Sequence, residues 1–187
     1  MLFFFSRKLL KETCKVAATF GAKGVIVHGG SVGEGGDIGQ GYENWGKAIK
    51  EVEDLGVKVL VENTAGGKNS VARYMDSIER LWEVIGHLNV GLCLDTCHTW
   101  AGGIPTIEAV KGFKKLVKKI DLIHFNDSKD GFESSRDRHE NLGKGQIPKE
   151  ELEYVIKNAK TDIIVETPNG PDAQKKDIAW IKRRLKK

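Results

Sequence analysis

The chain reads as an α/β protein built around a parallel sheet. Three observations predict it: five short β-branched apolar runs, amphipathic helical stretches between them, and a spacing of about thirty to forty residues from run to run, the length of one strand-plus-helix unit.

An opening helix is expected over about Leu10 to Phe20, before the first strand, Gly24-Val25-Ile26-Val27-His28. Tyr42 to Leu55 follows as a helix, with Trp45, Ala48, Ile49, Val52 and Leu55 at helical spacing. Val57 to Glu62 is the second strand. Val71 to Ile85 repeats the helical pattern through Tyr74, Ile78, Leu81, Trp82 and Ile85, and leads to the third strand, Val90 to Asp95. Thr106 to Lys119 places Ile107, Val110, Phe113, Leu116 and Val117 on one face. Leu122 to Asn126 is the fourth strand. Pro148 suits the first turn of a helix over Glu150 to Ala159. Ile163 to Glu166 is the fifth strand, and Asp177 to Leu185 closes the chain as a helix. No Pro/Ser-rich linker divides residues 1–187, so one domain is expected.

Composition narrows the class. Of 187 residues 40% are hydrophobic, and 30 Lys+Arg against 26 Asp+Glu leave a net charge of +4. That balance excludes a disordered chain and permits, without demanding, an anionic partner. No apolar run approaches the roughly 20 residues of a membrane span. Met1-Leu2-Phe3-Phe4-Phe5 is too short for a signal peptide and runs straight into Arg7, Lys8 and Lys11. It also sits oddly at a helix start, as an internal or misassigned start codon would. Cys14, Cys93 and Cys97 cannot build a disulfide framework and suit a reducing, cytoplasmic location.

Two architectures fit: an open doubly wound sheet, or a (β/α)₈ barrel lacking units. No Gly-x-Gly-x-x-Gly follows a strand, and Gly29 to Gly36 lacks the Gly-Lys-Ser/Thr end of a phosphate loop; it reads as a flexible active-site loop.

The strand ends carry the chemistry. In order they are His28, Glu62, Asp95 with His98, His124 with Asp127, and Glu166; Asp137 and His139 lie in the long loop after the fourth strand. In parallel α/β folds these ends share one face, where ligands bind. Any one of them alone is most simply a satisfied structural residue. The set is not, because converging carboxylates and imidazoles are costly without a cation to share. Four histidines and several carboxylates, with no matching cysteine pairs, describe a multinuclear site for Zn²⁺ or a similar divalent ion. Cys93 and Cys97 read as buried neighbours of that site rather than ligands. His87 and the lysine runs 114–115 and 118–119 read as solvated surface, and Trp45, Trp82 and Trp180 as packing against the sheet. Trp100 reads equally well as core or as a wall of the site mouth.

At these ends the sequence resembles one family. His28-Gly29-Gly30-Ser31, Glu62-Asn63-Thr64-Ala65-Gly66-Gly67, Asp95-Thr96-Cys97-His98, His124-Phe125-Asn126-Asp127-Ser128-Lys129, Asp137-Arg138-His139 with Leu142-Gly143-Lys144-Gly145, and Glu166-Thr167-Pro168 together are similar to the endonuclease IV family of apurinic/apyrimidinic endonucleases. The resemblance implies a (β/α)₈ barrel of the xylose isomerase-like superfamily, incomplete here, with about the last five βα units present. It also implies up to three Zn²⁺ and cleavage of double-stranded DNA 5′ to abasic sites. His28 resembles a ligand of the first zinc and Glu62 a bridge from the first to the second. Asp95, His124 and Glu166 resemble further ligands of the second, and His98, Asp137 and His139 those of the third. Glu62 and Glu166 are then also candidates to orient or deprotonate the attacking water. Asn63, Asn126 and Asp127 would orient ligands, and Arg138, Lys129 and Lys144 would contact phosphates. The family's barrel begins about three units earlier, so the first zinc would lack one histidine. Five strands cannot close a barrel, so a homo-oligomer or a missing N-terminal segment is expected to cover the edges. The competing readings are a sugar isomerase of the same superfamily and a non-catalytic paralogue or fragment that binds metal or DNA.

Overall fold

The computed structural model describes residues 2–186. The chain runs α1 (Leu2–Thr19), β1 (Gly24–His28), α2 (Ile38–Lys50), β2 (Lys58–Glu62), α3 (Met75–Ile85), β3 (Val90–Asp95), α4 (Thr96–Gly102) and α5 (Thr106–Val117). It continues through β4 (Leu122–Phe125), β5 (Asp127–Ser128), β6 (His139–Glu140), α6 (Lys149–Asn158), β7 (Asp162–Val165) and α7 (Gly170–Leu185). The five long strands form one parallel sheet in the order β1-β2-β3-β4-β7. Each strand lies beside its predecessor and the order never reverses. A doubly wound sheet needs a reversal, so that alternative is excluded and the barrel type stands, incomplete at five strands. β1 and β7 are its edges.

The helices pack on the outer face because each presents an apolar stripe to continuous apolar strands. Ile78, Leu81 and Ile85 of α3, Phe113 of α5, Leu152 and Val155 of α6 and Trp180 of α7 close over Val61, Leu92, Leu94, Ile123 and Phe125. A second, smaller cluster joins Leu10 and Cys14 of α1 to Ile49, Val52 and Val59. Burying each large side chain contributes about 1.5–3 kcal/mol, more than the differences in helix propensity along these segments, so packing sets the helix faces.

Several boundaries differ from the sequence pattern. α1 begins at Leu2 rather than near Leu10, taking in most of the apolar opening; Met1 lies outside the described residues. α3 begins at Met75, not Val71. Val71 N–H donates to Gly30 O and Thr64 N–H to Ala72 O, so this stretch is already committed to a neighbouring loop, and the Ser77 hydroxyl accepts from Tyr74 N–H to start the helix. α7 begins at Gly170, with Asn169 in the left-handed region ahead of it and Pro171 in the first turn. α4 and the β5–β6 hairpin have no counterpart in the sequence pattern, because both are too short for periodicity to register.

The loop over Gly29 to Gly36 is not free. Ser31 bridges Ser70, Val32 N–H donates to Asn69 O, and Asn69 Nδ2 donates to Gly33 O at 2.8 Å. A side chain at Gly29 would overlap Ala72, so glycine is what lets the loops after β1 and β2 lie against each other.

Candidate metal centre

Register brings the strand ends to one level. His28 pairs with Glu62 across β1 and β2, and Asp95 pairs with His124 across β3 and β4. Glu62, Asp95, His124 and Glu166 each present a donor atom, all within 4.8 Å of one another. His124 Nδ1 lies 3.1 Å from Glu62 Oε1 and 3.3 Å from Glu166 Oε2.

Asp95 does two things at once. Its Oδ1 accepts the His98 N–H at 2.8 Å and so caps α4, while its Oδ2 accepts Asn126 Nδ2 at 2.7 Å. The cap turns the chain through one helical turn and brings His98 back over the strand end, where its Nδ1 is 3.3 Å from Glu62 Oε1. The β5–β6 hairpin performs the same return over a longer distance. Lys129 N–H donates to Arg138 O, and the hairpin delivers Asp137 and His139 to the cluster. Asp137 Oδ1 is 3.1 Å from both His98 Nε2 and His139 Nε2. At the open side, His28 Nε2 is 3.5 Å from Glu62 Oε2, with its side chain 59% exposed beside the β1 edge.

The cluster therefore gathers four carboxylates and four imidazoles, and its electrostatics follow from that count. Burial opposes ionisation of Glu62, yet hydrogen bonds from His124 and His98 outweigh it and hold the carboxyl down at about 2. Burial likewise opposes charge on His98, but Asp95, Asp137 and Glu62 together lift it to about 11. His124 and His139 are raised against burial by Glu62 and Asp137 respectively. His139 and His98 hold Asp137 well below the usual carboxylate range. Uncompensated negative charge pulls protons onto the imidazoles, and divalent cations would supply the same compensation.

The donor set fits such cations on a more specific observation. His98 Nε2 is buried and makes no hydrogen bond, although Asp137 Oδ1 lies only 3.1 Å away; the oxygen is off the direction in which the ring nitrogen bonds. Its other nitrogen, Nδ1, faces Asn63 O at 3.0 Å, and His139 Nδ1 faces Glu166 O at 2.8 Å. In the neutral ring, a carbonyl at Nδ1 selects the tautomer whose Nε2 offers its lone pair, so a cation that replaces the Nε2 proton meets the arrangement expected of metal-ligating histidines. Two donors about 2.0 Å from a tetrahedral zinc stand about 3.3 Å apart; the nearest donor pairs here stand 3.1–3.8 Å apart, and the donors of each group lie within 4.8 Å.

All eight ligand-type residues expected from the sequence therefore meet in one place. Asn63 and Asn126 both touch Asp95, the first pairing with its backbone and the second with its carboxylate. Asp127 does not. It turns away from the cluster and accepts the backbone N–H groups of Ser128, Gly143, Gly145 and Ile147, shaping the loop that carries Lys144. Cys97 Sγ lies within 4.8 Å of donor atoms of Asp137 and His139, but burial pushes its thiol up to about 11, which keeps it a poor ligand. Cys93 is buried beneath the sheet ends. Lys129 and Lys144 are not buried, and Arg138 is exposed, but its guanidinium grips the Asp130 carboxylate with two nitrogens. Trp100 stacks edge-on against Phe132 and donates to Asp130 O, so it braces that loop. No spacing or motif gives a role to Asn141, Thr167 and Asp177, which form a buried polar group behind the cluster.

The family pattern described as a xylose isomerase-like TIM barrel matches residues 5–184. The probable endonuclease 4 of Mycobacterium tuberculosis CDC 1551 is 49% identical over 179 residues, a match spanning 96% of this chain and 70% of the relative. That of Mycobacterium ulcerans is 46% identical over 180 residues, with the same shares. Endonuclease IV from Thermus thermophilus superposes with a TM-score of 0.79 at 29% identity, covering 97% of this chain and 68% of its own. A D-tagatose 3-epimerase-like protein superposes at 0.75, covering 97% of this chain and 69% of its own, but at 21% identity it shares the fold alone.

Proposed function

Because the chain belongs to the xylose isomerase-like TIM-barrel family and, at 46–49% identity, to its endonuclease 4 members, we propose that it is a zinc-dependent endonuclease of DNA repair that hydrolyses the phosphodiester 5′ to abasic sites. The observation that carries this reading is the convergence of His28, Glu62, Asp95, His98, His124, Asp137, His139 and Glu166 at the C-terminal ends of consecutive parallel strands.

Glu62, Asp95, His124 and Glu166 would hold one zinc, and His98, Asp137 and His139 another. His28 and Glu62 would hold a third, with fewer protein donors. When bound, such ions lower the pKa of water toward neutrality and neutralise charge on a phosphodiester. The chain's own groups do the rest. Glu166, partly open to solvent, orients the attacking water and takes its proton, while buried Glu62 holds the ring nitrogens of His98 and His124 in place. Lys129 and Lys144 stand on the neighbouring loops as phosphate contacts. Arg138 joins them only by leaving Asp130. An abasic nucleotide has no pairing partner to give up, so drawing it out of the helix costs less than flipping an intact one. A reducing cytoplasm suits Cys14, Cys93 and Cys97, all buried and unpaired.

The test is zinc content per folded chain, paired with nicking of a duplex that carries a single abasic site. Two or three zincs with chelator-sensitive nicking is the expected result. Metal-replete, folded protein that binds the duplex and never cuts it would leave a binding remnant in place of an enzyme.

A further inference from the structure

Asp177 lies on α7 and is only 4% exposed, yet no cation among the described residues pairs with it. Three neutral donors take that place. Asn141 Nδ2 donates to Oδ2 at 2.7 Å, Leu142 N–H to Oδ1 at 3.1 Å, and Thr167 Oγ1 to Oδ2 at 2.7 Å. Asn141 comes two residues after His139, and Thr167 comes one residue after Glu166. The same two loops are tied again around this point. Asn141 Nδ2 also donates to Pro168 O at 3.1 Å, and Asn169 Nδ2 donates to Asn141 Oδ1 at 2.8 Å. His139 Nδ1 meets Glu166 O at 2.8 Å. A buried carboxylate is costly wherever an apolar side chain could pack, so its place here calls for a reason beyond stability.

We infer that Asp177 is a positioning residue for the metal centre. It locks the loop bearing Asp137 and His139 to the loop bearing Glu166, so that donors on two separate segments keep a fixed separation. The inference rests on the reading of those residues as metal ligands. Asp177 touches no donor atom itself; it acts through Asn141 and Thr167. Without it, the Leu142 N–H, the Asn141 amide and the Thr167 hydroxyl lose their shared acceptor, and the two loops keep only their direct contacts, which leaves their separation less tightly set. Groups that hold ligands in place are worth about 10–100-fold in metal affinity.

The experiment compares zinc affinity, by competition with a chromophoric chelator, for the unaltered chain and three variants well below their unfolding temperatures. Asp177→Asn puts an amide where the two side-chain donors point, and Thr167→Val deletes one donor at nearly constant volume. Ile181→Ala weakens the buried face of the same helix and controls for stability. The expected result is a loss of about tenfold for Asp177→Asn and several-fold for Thr167→Val, with Ile181→Ala lowering the melting temperature and leaving affinity unchanged. Clasp variants that bind zinc as tightly as the unaltered chain overturn the inference, as does an Ile181→Ala loss in proportion to its destabilisation. If Asp177→Asn fails to fold, Thr167→Val carries the comparison. An unaltered chain that takes up no zinc at all marks the failure of the metal reading itself.

Discussion

Glu166 is the ligand-type glutamate that water reaches: its side chain is 39% exposed, against 5% for Glu62. That difference separates their roles, because a proton acceptor needs access to the attacking water and a structural bridge does not. Glu166→Gln keeps the shape and removes the charge. It is expected to lower single-turnover nicking of an abasic duplex by about 100-fold or more, with binding in a gel-shift assay held within a few-fold; unchanged nicking would remove Glu166 from the chemistry. The imidazoles predict a pH dependence as well. His98, His124 and His139 are raised above the ordinary value, so the stability they contribute is complete below about pH 6.5. It drains away as pH climbs through the raised values, as far as about 11 for His98. Glu62 acts in the opposite direction: its contribution is present above about 4.5 and is lost as pH falls toward about 2. Chelator-treated protein should therefore show a urea midpoint that declines between about pH 7 and pH 10. Added Zn²⁺ should flatten that decline by taking the protons' place. A midpoint indifferent to both pH and zinc would contradict the electrostatic account.

Among the elements, the shortest ones decide the site. α4 has seven residues and β5 and β6 two each, yet they or the loop between them carry His98, Asp137 and His139 to the cluster. Each is held by hydrogen bonds rather than by an apolar stripe. Asp95 caps α4, and Asp127 gathers four backbone N–H groups beneath the β5–β6 hairpin. The loop with Lys144 closes down so tightly that a Cβ at Gly145 would run into Ser128 O and the Asp127 carboxylate. Gly145→Ala is expected to cost about 1–3 kcal/mol in urea unfolding and to weaken abasic-duplex binding, because it lifts the lysine loop. A variant as stable as the unaltered chain would mean that this loop moves aside freely. A strand end that finishes in Asp with His three residues on is a capping signal visible in the sequence. It does not register as a helix, because fewer than about two turns leave no periodicity. The hairpin carries no such signal, since its ten-residue excursion between β5 and β6 pairs only two residues on each side.

At the scale of the whole molecule the sheet is open at both edges, β1 and β7, and α1 shows an apolar row to solvent: Phe5, Leu9 and Val16, with Phe20 just beyond it, are each more than half exposed. Rows of that kind and unpaired strand edges invite association. The chain is expected to self-associate with rising concentration in sedimentation experiments, and Leu9→Lys with Val16→Lys to shift it toward monomer. A monomer at all concentrations would show that these surfaces are tolerated. No helix among the described residues is long and apolar enough to cross a membrane. The sequence alone determined the parallel α/β class, all five sheet strands to within about a residue, and the six acidic and imidazole residues at or just after their ends. Those features are local: a continuous apolar run and a polar residue at its end are printed in consecutive letters. Tertiary structure decided the rest. The strand order ruled out the doubly wound alternative, and pairing between the loops after β1 and β2 fixed a glycine stretch that reads as free. Asp127 turned from the cluster to the backbone, and Asp177 was drawn under two loops from a helix elsewhere in the chain. Each of these depends on partners far apart in sequence, and no spacing along a single chain records which buried acceptor will meet which donor.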